Sequence, residues 1–375
     1  MRDVLRVLQD LVGIPSLNPM GRPLSGPEYL ETQVGEYVAD FLRQAGLDVE
    51  VQPILPGRSN VIARLPLKGS PTVLLESHMD TVLVDHMAIA PFDPAIRDGR
   101  LYGRGSCDTK ASLAAMLCAV TEIAAQGRQR SVGVIFAATI DEEYRFTGAD
   151  RLMTHGIRAD WGITGEPTEL DIVNAHKGTL RWYLNTTGRA AHSAYPRAGE
   201  NAIYRMAPIL SALEEHAEAL LRRPPHPVLG APTLSVGIIA GGQTVNTVPD
   251  ECRIEIDRRL LPDEDWRTVL DEVKACLPDA PWWSCEEPYM AVQGIDVPES
   301  EPIVQRLRKA CQAIGREPAV RGVAYGTNAC RYVPDGIRCI VFGPGNVLRA
   351  HAAVEYVETD QVEQAVAAYV HFLTH

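Results

Sequence analysis

Two histidines and several carboxylates in this sequence stand where apolar runs stop. His78-Met79-Asp80 follows PTVLLES, Asp141-Glu142-Glu143 follows SVGVIFAATI, and Glu166-Pro167 follows ADWGITG. Gly343-Pro344-Gly345 ends and follows GIRCIVFG, His351 comes a short loop later, and Asp108 stands just ahead of KASLAAMLCAVTEIAAQG. Singly, each has a bland reading: a helix N-cap for Asp108, a solvated loop acid for Glu166, a surface histidine for His351, a solvated turn for Glu142 and Glu143. Their joint placement argues otherwise, because in open α/β sheets ligands gather outside the carboxyl ends of the strands. Mixed imidazole and carboxylate donors suit zinc, with cobalt or manganese as substitutes. Five ligands can serve two divalent ions if one carboxylate bridges. In His78-x-Asp80 an extended backbone puts both side chains on one side, so Asp80 can hydrogen-bond the imidazole and orient it without binding an ion. Two cations would also offset the repulsion between Glu142 and Glu143, which strand alternation sends in different directions.

The elements that must position these groups follow from hydrophobic periodicity. Continuous apolar runs at 60–66, 71–77, 131–140 and 159–165 predict strands, and helical periodicity predicts helices at 30–45 and 109–126, the latter ended by Gly127. Such runs, separated by helices, imply an α/β fold with a mostly parallel sheet covered on both faces. From 178 to 290 the order becomes strand, long helix, two strands, helix, strand: TLRWYLNTTG, AGENAIYRMAPILSALEEHAEALLRR, PTLSVGIIAGG, TVPDECRIEIDRRL, DEDWRTVL to KACL, and PWWSCEEPYM. That is the βαββαβ plan of ferredoxin-like domains, with RRPPHPVLGAP as a rigid surface connection. After 290 the α/β pattern resumes with a helix at 301–315, a strand at 336–343 and a helix from 359. The expected organisation is a catalytic domain in two parts, 1–177 and 291–375, interrupted by an inserted domain at 178–290.

Composition narrows the function class. The chain has 375 residues, 46% hydrophobic and 22% charged, as soluble globular proteins do. A formal charge of −12 argues against nucleic acid or an anionic membrane as the main partner. The segment MRDVLRVLQDLVGIPS reads as an amphipathic helix and not a signal peptide, and no apolar run reaches membrane-spanning length, so a cytoplasmic location is the expectation. The eight cysteines show no C-x-x-C pair, which favours buried free thiols. Cys107, in a Gly-rich loop beside Asp108, is the exception and a weak candidate for a catalytic role, since no His–Asn partnership stands near it. GRGSCD lacks the final glycine of a dinucleotide fingerprint, the glycine a P-loop needs before Lys110 is missing, and no G-x-S-x-G is present. A metal-binding scaffold that has lost activity is the non-enzymatic rival.

In order along the chain, LLESHMDTV, LYGRGSCDTKASLAAML, TIDEEYRFTGA, ITGEPTEL, GRAAHSAYPRAGENAI, GGQTVNTVPDECRIEIDRRLLP and FGPGNVLRAH resemble the motifs of the dinuclear-zinc deacylase and exopeptidase family. That family includes acetylornithine deacetylase, succinyl-diaminopimelate desuccinylase, aminoacylase and glutamate carboxypeptidase, and the resemblance covers nearly the whole chain. It implies His78 and Glu166 on one metal, Glu143 and His351 on the other, Asp108 bridging them, and Glu142 as general base. It also implies that 178–290 is a lid and dimerisation domain, that the chain is a homodimer, and that His192 reaches an active site across the dimer to steady the oxyanion. Asn246 and Arg259 match positions that hold the substrate's carboxylate or carbonyl. Arg331 is a further candidate for that carboxylate, and the glycines Gly343 and Gly345 could offer it backbone N–H groups.

The sequence departs from the family at Ser77 and Ala111, where glycine is common, and at Asn328 and Val354, where an acid is usual; Glu355 is kept. All five ligand positions survive. The expected reaction is hydrolysis of the amide in an N-acyl amino acid by a water bridging two metals, with Glu142 moving the proton. AHKGTLRW leans toward the acetylornithine deacetylase branch, with a metallo-carboxypeptidase or dipeptidase, or a desuccinylase, as alternatives.

Overall fold

In the computed structural model, which describes residues 3–126 and 129–375, strand Thr72–His78 is buried at every position after its first, and Gly133–Thr139 throughout. Runs buried on both faces belong at the centre of a covered sheet. The sheet order is Val49–Leu55, Arg58–Leu65, Gly133–Thr139, Thr72–His78, Trp161–Thr164, Arg338–Val341 and Ile172–His176. Its centre is parallel: Thr72–His78 pairs in parallel with both neighbours, and Arg338–Val341 with Trp161–Thr164. The flanks are antiparallel, so the sheet is mixed. On one flank only Pro56 and Gly57 connect Val49–Leu55 to Arg58–Leu65, and a two-residue link can join only antiparallel neighbours. Because the central strands are parallel, their carboxyl ends share one edge, with His78 in register with Thr139 and Thr164 in register with Val341. The loops carrying the candidate donors leave from that edge.

Helix Lys110–Gln126 is buried nearly all round and packs against Val4–Gly13 and Thr359–Thr374. Asp3 caps the first of these, accepting from the Leu5 and Arg6 N–H groups. Met1, Arg2 and the expected stop at Gly127 lie outside the described residues. Among the described residues no helix is long and apolar enough to cross a membrane, and all eight cysteines are free.

The described chain divides into two compact units, one made of the chain up to Asn174 with Val297–Arg321 and Thr327–His375, the other of Ala175–Asp296 with Gly322–Gly326. The second unit has strands Gly178–Thr187, Thr233–Gly241, Glu251–Leu260 and Trp283–Cys285 and helices Ala202–Leu221 and Trp266–Ala275 in βαββαβ order. Its spatial order is Thr233–Gly241, Glu251–Leu260, Gly178–Thr187, Trp283–Cys285, all antiparallel. Glu251–Leu260 alternates buried and less buried positions along its length, as a sheet covered on one face requires. The buried face carries Trp182, Leu184, Ile254 and Ile256 onto Met206, Ile209 and Val269 of the helices. Burying Trp182 alone removes about 200 Å² from water, worth about 5 kcal/mol at most.

Candidate metal centre

His78 is the last residue of its strand and 2% exposed. Its Nδ1 lies 2.9 Å from the Asp80 carbonyl oxygen, which turns Nε2 into the site. Nε2 is then 3.2 Å from Asp108 Oδ1, 3.6 Å from Glu166 Oε1 and 4.0 Å from Glu142 Oε2. The other Asp108 oxygen is 3.2 Å from His351 Nε2, which is 3.1 Å from Glu143 Oε2. Asp108 therefore presents one oxygen to each ring, as a bridging carboxylate must.

The donor set fits divalent cations. Four donors held about 2.0 Å from a tetrahedral zinc stand about 3.3 Å apart, and the contacts here run from 3.1 to 3.6 Å around Asp108, His78, His351, Glu143 and Glu166. Ligand atoms of His78, Glu142 and Glu166 lie within 4.8 Å of one another, as do those of His78, Asp108 and Glu143. Glu143 Oε1 is buried without a hydrogen-bond partner. The contact of Glu143 with His351 is 3.1 Å and that of Glu142 with His78 is 4.0 Å, although Glu143 also lies within 4.8 Å of His78.

The electrostatics describe four acids crowded around two imidazoles. Burial pushes Glu142 and Glu166 well above the usual carboxylate range; Glu142 feels the charges of Glu143 and Asp108 besides, and Glu166 that of Asp108. Glu143 is raised by burial and then by Asp108. Burial would raise Asp108 too, but hydrogen bonds from His351 and His78 outweigh it and hold it below its usual value. His351 is pushed up to about 11 by Asp108 and Glu143. Burial opposes charge on His78, yet Asp108, then Asp80 and the nearby glutamates, hold it well above an ordinary histidine.

Two buried acids hold the loops. Asp80 accepts the Glu142 N–H on Oδ1 and the Glu143 N–H on Oδ2, each at 3.1 Å, and Asn18 Nδ2 at 2.8 Å. Its Oδ1 is 3.6 Å from His78 Nδ1, so the ring is oriented by the Asp80 backbone carbonyl more than by the carboxylate that the sequence suggested. Glu355 accepts from the Cys107 and Asp108 N–H groups at 3.0 and 3.1 Å and pairs with Arg104 at 2.5 Å. The sequence marked Glu355 only as kept, and its contact with the Gly-rich loop across 247 residues left no local signal. Cys107 is buried, with Sγ 3.3 Å from the Asn346 carbonyl, and burial drives its thiol up, which removes it as a nucleophile.

The remaining candidates divide. Arg331 has its Nε 3.2 Å from Asp150, without a hydrogen bond among the described residues, and its guanidinium over the Phe146 ring. Gly343 and Gly345 do not offer their N–H groups, because Thr168 Oγ1 and Gln361 Oε1 take them at 3.1 and 2.8 Å. These glycines serve packing: a Cβ at Gly343 would stand 2.6 Å from the Glu166 carbonyl oxygen, and Gly345 has φ +96°. His192, Asn246 and Arg259 belong to the second unit. His192 is exposed and its Nδ1 accepts the Ala194 N–H at 3.1 Å; Asn246 is exposed, and its carbonyl accepts the Ser193 N–H at 3.0 Å. Arg259 spends Nε on Asp257 at 2.7 Å and Nη1 on Thr179 at 3.2 Å.

Residues 74–375 match the model of peptidase family M20/M25/M40. An acetylornithine deacetylase of Myxococcus xanthus is 31% identical over 91% of each chain. A probable carboxypeptidase of Aspergillus flavus is 33% identical over 90% of this chain and 84% of its own. Among solved structures, an M20 family metallo-carboxypeptidase of Sulfolobus solfataricus superposes with a TM-score of 0.82 at 21% identity, covering 100% of this chain and 99% of its own, a likeness of fold. With a family match over most of its length and relatives above 30% identity across nearly all of it, the chain belongs to peptidase family M20/M25/M40 and is one of its metal-dependent hydrolases.

Proposed function

We propose that the protein hydrolyses the amide bond of an N-acyl amino acid, in the manner of an acetylornithine deacetylase. His78 and Glu166 would hold one divalent cation, Glu143 and His351 the other, and Asp108 both; zinc suits these donors best, with cobalt or manganese able to replace it. Bound there, the cations supply Lewis acidity that polarises the acyl carbonyl and makes water a nucleophile at neutral pH. The observation that carries the reading is Glu142, its side chain 11% exposed at the edge of the donor cluster and its carboxylate in no hydrogen bond among the described residues. Held well above the usual carboxylate range, it is matched to taking a proton from attacking water and handing it to the leaving amine.

His192 would donate to the developing oxyanion. Because its Nδ1 accepts the Ala194 N–H, the neutral ring carries its proton on Nε2, which is then a donor. The Arg259 Nη2, with Asn246, would read the substrate's carboxylate. We assign His192 to the active site of a second copy. Strand Thr233–Gly241 is an edge strand that exposes its own Ile238 and Ile239, and Tyr204 and Val245 are exposed as well, a surface suited to a homodimer. A cytoplasmic enzyme fits the free thiols.

A second reading, a metallo-carboxypeptidase or dipeptidase using the same residues, is favoured by the relatives named for carboxypeptidase activity. A panel of N-acetyl, N-succinyl and dipeptide substrates on zinc- and cobalt-loaded protein separates the two, with N-acetylornithine expected to give the highest kcat/KM. Glu142→Gln should lower kcat by about 10³-fold or more with both ions still bound; turnover near that of the unaltered enzyme would sink the assignment. Mixing Glu142→Gln with His192→Ala chains should restore activity, since a mixed dimer has one complete site only when His192 acts across the interface.

A further inference from the structure

The turn that carries Glu142 and Glu143 is fixed from below by a network in which only Asp80 touches a histidine. It begins at Asp141, buried and left-handed at φ +63°. A non-glycine residue keeps that conformation only where its surroundings impose it. The surroundings here come from distant parts of the chain. One Asp141 oxygen accepts Asn18 Nδ2 at 2.9 Å and Arg58 Nη1 at 3.0 Å, and the other accepts the Thr147 hydroxyl. Arg58 meets Glu31 through two parallel bonds, Nε to Oε2 at 2.7 Å and Nη2 to Oε1 at 2.5 Å, and Glu31 Oε1 also accepts the Asp141 N–H at 3.2 Å.

Asn18 is the hinge-pin of the arrangement. The same Nδ2 that bonds Asp141 bonds Asp80 at 2.8 Å, one hydrogen for each carboxylate. Asp80 in turn holds the Glu142 and Glu143 N–H groups. The turn is thus gripped at Asp141 and at the two amides that follow. Asn18, Glu31, Arg58, Asp80 and Asp141 are each at most 7% exposed. Buried charge networks of this kind are no more stable than well-packed apolar replacements, so stability alone does not account for one.

We propose that Asn18 and the Arg58–Glu31 pair are positioning residues, which fix the Asp141–Glu143 turn so that Glu142 faces the reacting water while Glu143 faces His351. The inference rests on the function proposed above for what Glu142 does, but not for where Glu143 points. An apolar neighbour at either place would leave the two glutamates free to exchange directions and compete for one cation.

The test compares Asn18→Ala, Asn18→Ser, Arg58→Lys and unaltered protein. Zinc affinity is measured by titration calorimetry, the absorption spectrum with cobalt in the site, and kcat and KM at saturating zinc. Asn18→Ala and Arg58→Lys should weaken one of the two zinc ions about tenfold, alter the cobalt spectrum, and lower kcat about 30-fold with KM within threefold. Asn18→Ser, which keeps one donor, should recover part of each loss, and it serves if the alanine variant fails to fold. Folded variants with unaltered zinc affinity, spectrum and kcat would overturn the proposal. If the unaltered protein cleaves no amide in the panel, the functional reading fails, and the zinc and cobalt measurements still decide whether these residues position the turn.

Discussion

The donor cluster of the first unit and the His192 surface of the second are built in opposite ways. Side chains of Asp108, Glu143 and Glu166 are 13%, 6% and 7% exposed, with His351 the half-exposed exception, and Asp80 and Glu355 clasp the loops of Glu143 and Asp108. His192 and Asn246 are exposed, and a single backbone N–H orients the imidazole. A metal centre must hold like charges at fixed spacing before any cation arrives, so its scaffold has to be stiff and paid in buried polar bonds. A donor to an oxyanion is needed only when substrate is present, and a hydrogen on the correct nitrogen suffices. The comparison therefore predicts that perturbing the cluster changes metal binding, stability and turnover together, whereas perturbing the second surface changes turnover alone.

The largest effect should come from removing metal. Chelation is expected to abolish amide hydrolysis and to lower the melting temperature of the first unit on the order of 10 °C, with zinc restoring both. The tryptophans allow the units to be followed separately, because Trp182, Trp266, Trp282 and Trp283 lie in the second unit and only Trp161 in the first. Calorimetry should show a transition that moves with zinc while the tryptophan fluorescence transition stays within about 2 °C. A fluorescence transition that moves equally would break the comparison.

How far this contrast could be read beforehand depended on sequence distance. The strand ends were legible because TVLLESH and GVIFAAT are continuous apolar runs, and the donors follow them directly. The antiparallel flanks were not, since apolar periodicity carries no strand direction; the Pro56-Gly57 turn was the only local clue. The supports of the turn were equally hidden: Arg58 meets Asp141 across 83 residues and Glu31 meets the Asp141 N–H across 110. The neighbours of Arg331 and the glycine pair were hidden for the same reason. The arginine and the glycines suit carboxylate binding by type, but Thr168 and Gln361 take the two glycine N–H groups and Asp150 stands beside the Arg331 Nε, and neighbours of that kind show only in three dimensions.

Turnover without metal loss is the signature expected on the second surface. His192→Ala should lower kcat about 10²-fold while zinc content and melting temperature stay unchanged. Loss of zinc in that variant would mean the histidine belongs to the cluster. A smaller contrast sharpens the arginine assignments. Arg259→Ala should raise KM about 10-fold to 100-fold, the worth of a charged hydrogen bond to a carboxylate, with kcat within about threefold. Arg331→Ala, which removes a guanidinium lying beside Asp150 and over Phe146, should change KM less than about threefold. The reverse ranking would return Arg331 to the substrate.

The smallest effect is a change of sign in the pH dependence of stability. In the metal-free protein His351 is raised from 6.5 to about 11 by Asp108 and Glu143, so its contribution is complete below pH 6.5 and is lost as pH rises toward 11. Glu142 and Glu166 are raised above 4.5, chiefly by burial, so the folded state binds more protons than the unfolded one at these positions and stability is likewise lost as pH rises from 4.5. Asp108, held low by His351 and His78, opposes this only below its unfolded value of 3.8. The cluster should therefore contribute less to the melting temperature of metal-free protein as pH climbs from about 5 to 9, against the opposite drift of Lys110, pushed down to about 7 by burial, and His176, pushed down to about 4. With zinc the slope over that range should flatten or reverse, because cations require the deprotonated carboxylates and neutral imidazoles that higher pH supplies. Parallel slopes with and without zinc would mean that the cluster's protons are not exchanged for metal, and that its acids are held apart by the scaffold alone.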